Sequence, residues 1–272
     1  MLPTEQDADK THGFRGEHTR GWVTPPEKSR RALAVPWTTR DAALGIALTI
    51  VPLVTLLIAG QILASGAPTH SVARLTPARD LTNAIAIAVS SSLVEAVFLI
   101  APVYYAIKRR PAGASRWAGI RVLGLRGFQL GSATVTFVAG LALVYGFTIL
   151  YSLLRIQTNA DALARQAAQA PYTTVATLLV AVVVAPICEE LFFRGFAFPA
   201  LAQAMPLWGA ILATSLIFGV THADIGSFAP LVVIGVALAV LRWRTGSIWP
   251  GVAFHAFNNA VAAVYIFSVI HA

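Results

Sequence analysis

The chain reads as an all-α, polytopic transmembrane helix bundle of about seven spans, with six or eight as the bounds. Three observations predict it. Hydrophobic residues make up 57% of 272 positions and charged residues only 12%, with a mean hydropathy of +0.70, all far from a soluble domain. Apolar runs recur at 42–65, 83–107, 130–154, 173–201, 207–222, 228–243 and 248–270. A hydrocarbon core about 30 Å thick needs about 20 helical residues to cross it, and all but the fifth and sixth runs are long enough. Finally, the six tryptophans (22, 37, 117, 208, 243 and 249) fall in the tail, in loops or at run ends, as interfacial belts do.

Each segment follows from its composition. Residues 1–40 are polar, rich in Pro, Thr, Glu and Arg, and read as a disordered cytoplasmic tail ahead of a membrane domain at 41–272. The run at 42–65 is too long for a signal-peptide core and becomes the first span. The fourth run, 173–201, is expected to bend near Gly195 or Pro199. The net charge is +8, and 13 of the 20 cations fall in two clusters, seven in the first 40 residues and six between Lys108 and Arg126. Basic residues in short loops set orientation, so the N-terminus and the 108–126 loop are expected on the cytoplasmic side of a bacterial-type cell membrane. Arg242 and Arg244 then fall on that side after the sixth span. No recognition motif accompanies the charge, which argues against nucleic acid as a partner. With Cys188 the sole cysteine, an intrachain disulfide and a four-cysteine zinc site are excluded.

The chemistry concentrates in Cys188-Glu189-Glu190-Leu191-Phe192-Phe193-Arg194, which follows a wholly apolar run. An ionised side chain at bilayer depth costs at least about 2.5–3.5 kcal/mol, so such residues are kept for function. Glu190 and Arg194 lie four apart and share a helix face; so do Phe218 and His222, and His255 and Asn259. Glu189 is rotated one step from Glu190, so one carboxylate can face a cavity while Arg194 holds the other. A buried carboxylate can serve as general base toward water. An imidazole and a carboxamide on one face can donate to a developing oxyanion. The same groups could instead hold zinc through Glu189, His222 and His255, although no HExxH helix is present. Because Asn259 is a poor ligand and the three donors sit on three helices, the set leans toward metal-free chemistry. Glu95, a further intramembrane carboxylate, is read as structural and as lining the same cavity; Cys188 is read as packing.

At these residues the chain resembles the CPBP intramembrane proteases, also called Abi or CAAX-protease-like proteins. The resemblance rests on Glu189-Glu190-x-x-x-Arg194, Phe218-x-x-x-His222 and His255-x-x-x-Asn259, in that order, and covers about 120–270. It implies an all-helical intramembrane peptidase, metallo- or glutamate-dependent, opening toward the cytosol. Glu189 and His222 would activate water, His255 and Asn259 would stabilise the oxyanion, and Glu190 and Arg194 would support them. A membrane-associated peptide or protein is the implied substrate. A proton- or ion-coupled transporter is the competing reading, weakened by the lack of Gly/Pro-broken spans in matching halves. A third is an idle scaffold, or a self-immunity protein against bacteriocins. No motif speaks to oligomeric state.

Overall fold

In the computed structural model, residues 33–65, 76–156 and 170–271 are described. Every element among them is helical: α1 (Thr39–Ser65), α2 (Pro77–Lys108), α3 (Arg116–Arg121), α4 (Leu130–Ser152), α5 (Pro171–Ala204), α6 (Leu207–Thr221), α7 (Ile225–Thr245) and α8 (Trp249–His271). Each of the seven apolar runs becomes one helix, and α3 is a short amphipathic turn in the basic loop. Among the described residues α1, α2, α4, α5 and α7 are long and apolar enough to cross a membrane, while α6 is shorter. The protein is therefore a multi-pass membrane protein.

Helix ends are set by local chemistry. Thr38 and Asp41 exchange bonds before α1, Asp41 Oδ2 accepting from Thr38 N and Thr38 Oγ1 accepting from Asp41 N, a reciprocal N-terminal cap. Proline opens α2 and α5, where its missing N–H costs nothing. Asp224 caps α7 by accepting from Gly226 N. Gly246 ends that helix at φ 69°, and its N–H closes onto the Arg242 carbonyl, a left-handed stop that glycine adopts without strain.

The helices divide by burial. Only 22%, 17% and 17% of the most apolar stretches of α1, α2 and α4 are buried inside the protein, against 44% for α5 and 39% for α7. The first three thus present lipid-facing surfaces, with Leu48, Leu56, Val89, Leu93, Leu130 and Ile149 outward, while α5 and α7 form the centre. Phe192, Phe193, Phe196, Phe218, Leu238 and Phe254 fill the space between them.

Helix α5 is continuous but not regular. It widens to π-helical turns at Val180–Val184 and Leu191–Ala197, on either side of the α-helical turn Ala185–Glu190. Both widened stretches end just before a proline, Pro186 or Pro199. A proline donates no N–H and its ring crowds the carbonyl four residues back, here Val182 or Gly195, so the preceding turn opens. The expected bend at Gly195 or Pro199 takes this form.

One further expectation changes, that of the tryptophans. Of the expected tail 1–40, residues 33–40 are described and Leu33 is buried; residues 1–32, including Trp22, lie outside the described residues, as does His70. Trp117, Trp208 and Trp249 are exposed as interfacial residues should be, but Trp37 is 2% exposed. It stacks on Phe196 at 5.4 Å and donates Nε1–H to the Phe196 carbonyl at 3.1 Å. A widened turn needs donors from outside the helix for its carbonyls; Trp37 is one of them.

Candidate active site

The centre of the site is the pair predicted from spacing. Glu190 and Arg194 side chains are both 0% exposed, and Arg194 Nη1 donates to Glu190 Oε1 at 2.8 Å. The second guanidinium nitrogen donates to the Gly235 carbonyl on α7 at 3.1 Å. The guanidinium carbon lies 4.7 Å from the centre of the Phe218 ring and 5.5 Å from that of Phe193. Aromatic faces offer partial negative charge to a desolvated cation. Arg194 is therefore held at both terminal nitrogens and between two rings, and through it α5, α6 and α7 are tied together.

Glu189, one residue away, points elsewhere. It is 7% exposed, and its Oε2 meets no protein hydrogen-bond partner. The division expected from a one-step rotation is thus present: Arg194 clamps Glu190 at Oε1, leaving its Oε2 without a partner against Gly251, while Glu189 makes no ion pair among the described residues.

Helix α8 supplies the facing groups. His255, 3% exposed, brings Nδ1 to 3.7 Å from Glu190 Oε1, which is ion-pair range rather than a hydrogen bond. Asn259, one turn further, donates Nδ2–H to the Ala181 carbonyl at 2.7 Å. Ala181 belongs to the first widened turn, so Asn259 satisfies a carbonyl that the π geometry leaves open. His222 follows the last turn of α6, half-buried, with Nδ1 2.9 Å from the Phe218 carbonyl. Phe218 is the hub, with its ring 4.9 Å from that of His222 and 5.6 Å from that of His255.

The metal reading meets a poorer fit. Among the described residues no group of three or more His, Cys, Asp and Glu side chains comes together as a coordination shell requires. Glu189, His222 and His255 are not so assembled, and no step below is routed through a metal.

Sequence reasoning missed Arg242, which it placed among loop cations. It is 1% exposed, and its Nε donates to the Arg194 carbonyl at 3.0 Å. Thus the carbonyls of Ala181, Arg194 and Phe196, all in widened turns, accept from Asn259, Arg242 and Trp37. The two prolines were the signal that such donors would be needed.

Gly251 completes the fit. A Cβ there would sit 2.6 Å from Glu190 Oε2, so α8 can approach α5 this closely only without a side chain. Gly251→Ala is expected to cost about 1–3 kcal/mol of stability through overpacking. Gly146→Ala, where nothing lies within 4 Å, should be neutral or slightly stabilising. Thermal unfolding of the two variants in detergent, with Gly251→Ala no worse than Gly146→Ala, would contradict this close approach.

Comparison with known proteins agrees with the geometry. Residues 171–261 match the family described as type II CAAX prenyl endopeptidase Rce1-like, and all six candidate residues lie in that segment. A protein of Bacillus subtilis (strain 168) named "Putative membrane peptidase YdiL" is 33% identical over 87 residues, which is 32% of this chain and 36% of the relative. The match thus spans about a third of that relative's length. No solved structure matches the chain. Through residues 171–261 the chain is thus similar to the CAAX-protease-like membrane peptidases.

Proposed function

We propose that the protein is an integral membrane endopeptidase that hydrolyses peptide bonds near the cytoplasmic membrane face with a Glu/His-activated water. The observation that carries this reading is the split between the two carboxylates. Glu190 is paired with Arg194 through Oε1 and lies against Gly251 at Oε2, while Glu189 has an unpartnered buried Oε2 and no ion pair among the described residues. The imidazoles of His222 and His255 both meet the Phe218 ring. A base for water must be close, desolvated and not already spent.

In the proposed reaction Glu189 takes a proton from water, with His222 orienting it, and the oxygen attacks the scissile carbonyl. The C=O electron pair moves to the oxygen. His255, whose Nδ1 faces Glu190, offers Nε2–H to that oxyanion when it carries both protons. Asn259 has a second amide hydrogen for the same purpose beyond the one given to Ala181. Collapse breaks the C–N bond, and the proton held by Glu189 passes to the leaving amine, giving one carboxylate and one amine. The substrate is a membrane-associated peptide or protein. Purified protein in detergent should release fragments from a peptide library, and Glu189→Ala should release none. A library untouched by the wild type, or cut equally by both, would refute the reading.

The cytoplasmic placement is part of the proposal. Arg109, Arg126 and Arg242 lie at the same end of the bundle as Trp37: Arg109 pairs with Asp41 at 2.7 Å, the Arg126 carbonyl accepts from Ser247 Oγ at 2.7 Å, and Gly124 lies against Arg242. Basic ends face the cytoplasm. After replacement of Cys188, a cysteine at exposed Ser115 should remain unlabelled from outside intact cells. Labelling as strong as at a cysteine placed at Ser65 would reverse the orientation.

A further inference from the structure

Glu95 lies on α2, outside the segment shared with the CAAX-protease-like family. Three contacts fix its level. Asp80 Oδ1 accepts from Thr173 Oγ1 at 2.7 Å with a sequence offset of 93. Phe98 packs edge-on to Phe192 at 5.3 Å, and Tyr105 stacks on Phe196 at 5.5 Å, nearly keeping that offset. Helices α2 and α5 therefore run parallel in a constant register, which sets Glu95 beside Cys188 and Glu189. The side chains obey it: Glu95 and Glu189 are within electrostatic reach of one another, and both are within reach of the Cys188 thiol.

Each carboxylate has a buried Oε2 without a protein hydrogen-bond partner. A buried polar oxygen is rarely left unpaired, and a water with polar partners on several sides is the usual remedy. Two acceptors on adjacent helices suit the two hydrogens of one water. No other charged side chain of α1 or α2 lies near this level, since the charges of α1 are confined to Arg40 and Asp41 and the others of α2 to Arg79, Asp80 and Lys108. Arg194 is within electrostatic reach of Glu189 and offsets part of the local negative charge.

We propose that Glu95 is the second anchor of the hydrolytic water. This rests on the peptidase reading above. One O–H of the water donates to Glu189 Oε2 and is the one given up on attack; the other donates to Glu95 Oε2 and stays on oxygen. Holding both hydrogens turns a lone pair toward the scissile carbonyl, a positional gain of the kind that fixed geometry supplies. Glu95 gains and loses no proton in the step.

A purely structural carboxylate would lose stability on removal and leave kcat alone, whereas a buried charge held for the reaction can be replaced by an apolar side chain at no cost to stability, or with a gain. Glu95→Leu should lower kcat about 10–100-fold with KM changed by less than about twofold, while thermal stability stays level or rises. Glu95→Gln keeps an acceptor oxygen and should recover to within about fivefold of the wild type. Should the leucine variant fail to assemble, Glu95→Met poses the same test. Wild-type kcat in the leucine or methionine variant, with Glu189→Gln inactive, overturns the anchor and leaves the peptidase reading intact. A density map of the protein in nanodiscs tests the anchor without substrate. Density within hydrogen-bond distance of both carboxylates supports it, and direct contact between the carboxylates with nothing between them overturns it, even if the wild type cleaves no peptide.

Discussion

Glu189→Gln is expected to abolish peptide cleavage, lowering kcat by about 10²–10⁴-fold, the usual contribution of a positioned base, while expression and insertion remain near wild type. The substitution keeps the side chain's volume and removes its basicity. Since Glu189 Oε2 has no protein partner to lose, the amide breaks no fold contact, and removing a charge at depth favours insertion if anything. The effect should therefore fall on kcat alone. His255→Ala should be similarly inactive, because it removes the imidazole facing Glu190 at 3.7 Å. Activity of Glu189→Gln within a few-fold of wild type would remove Glu189 from the role of base. Glu190 could not inherit it, being fully buried and bonded to Arg194.

Arg194→Met should produce the largest loss of stability, about 3–5 kcal/mol, because breaking a buried ion pair strands the remaining charge. Three things are lost together: the bond to Glu190 at 2.8 Å, the bond to the Gly235 carbonyl at 3.1 Å, and the stacking on Phe218. The double variant Arg194→Met, Glu190→Leu should recover much of the loss by removing the stranded carboxylate, although the side-chain bond to the Gly235 carbonyl stays lost. Unfolding in detergent measures both. A single variant within about 1 kcal/mol of wild type would mean that the pair is solvated, contrary to its complete burial. The two variants separate roles: one is stable and inactive, the other unstable whatever its chemistry.

Much of this protein follows from interactions between residues close in sequence. Hydropathy acts over one helix at a time, so seven runs became seven helices with ends within a few residues of expectation. The Glu190–Arg194 pair was legible because residues four apart meet on one helical face whatever surrounds them, and the pairing of Phe218 with His222 was legible for the same reason. The prolines at 186 and 199 also marked where α5 departs from regularity.

Contacts between helices were not legible, because they depend on register and close approach, which no local pattern encodes. Composition put Trp37 in an interfacial belt and Arg242 among loop cations, yet both are buried donors to carbonyls of α5. Spacing placed His255 and Asn259 on one face, but only packing could give them different partners, Glu190 for one and Ala181 for the other. Glu95 read as a structural residue lining the same cavity, and only the parallel register of α2 and α5 gave it Cys188 and Glu189 as neighbours. Sequence alone determined which helices form and which polar residues the membrane must accommodate, since both follow from the cost of leaving water. Tertiary structure decided which of those residues meet, because in a bilayer a buried polar group without a partner on its own helix must find one on another.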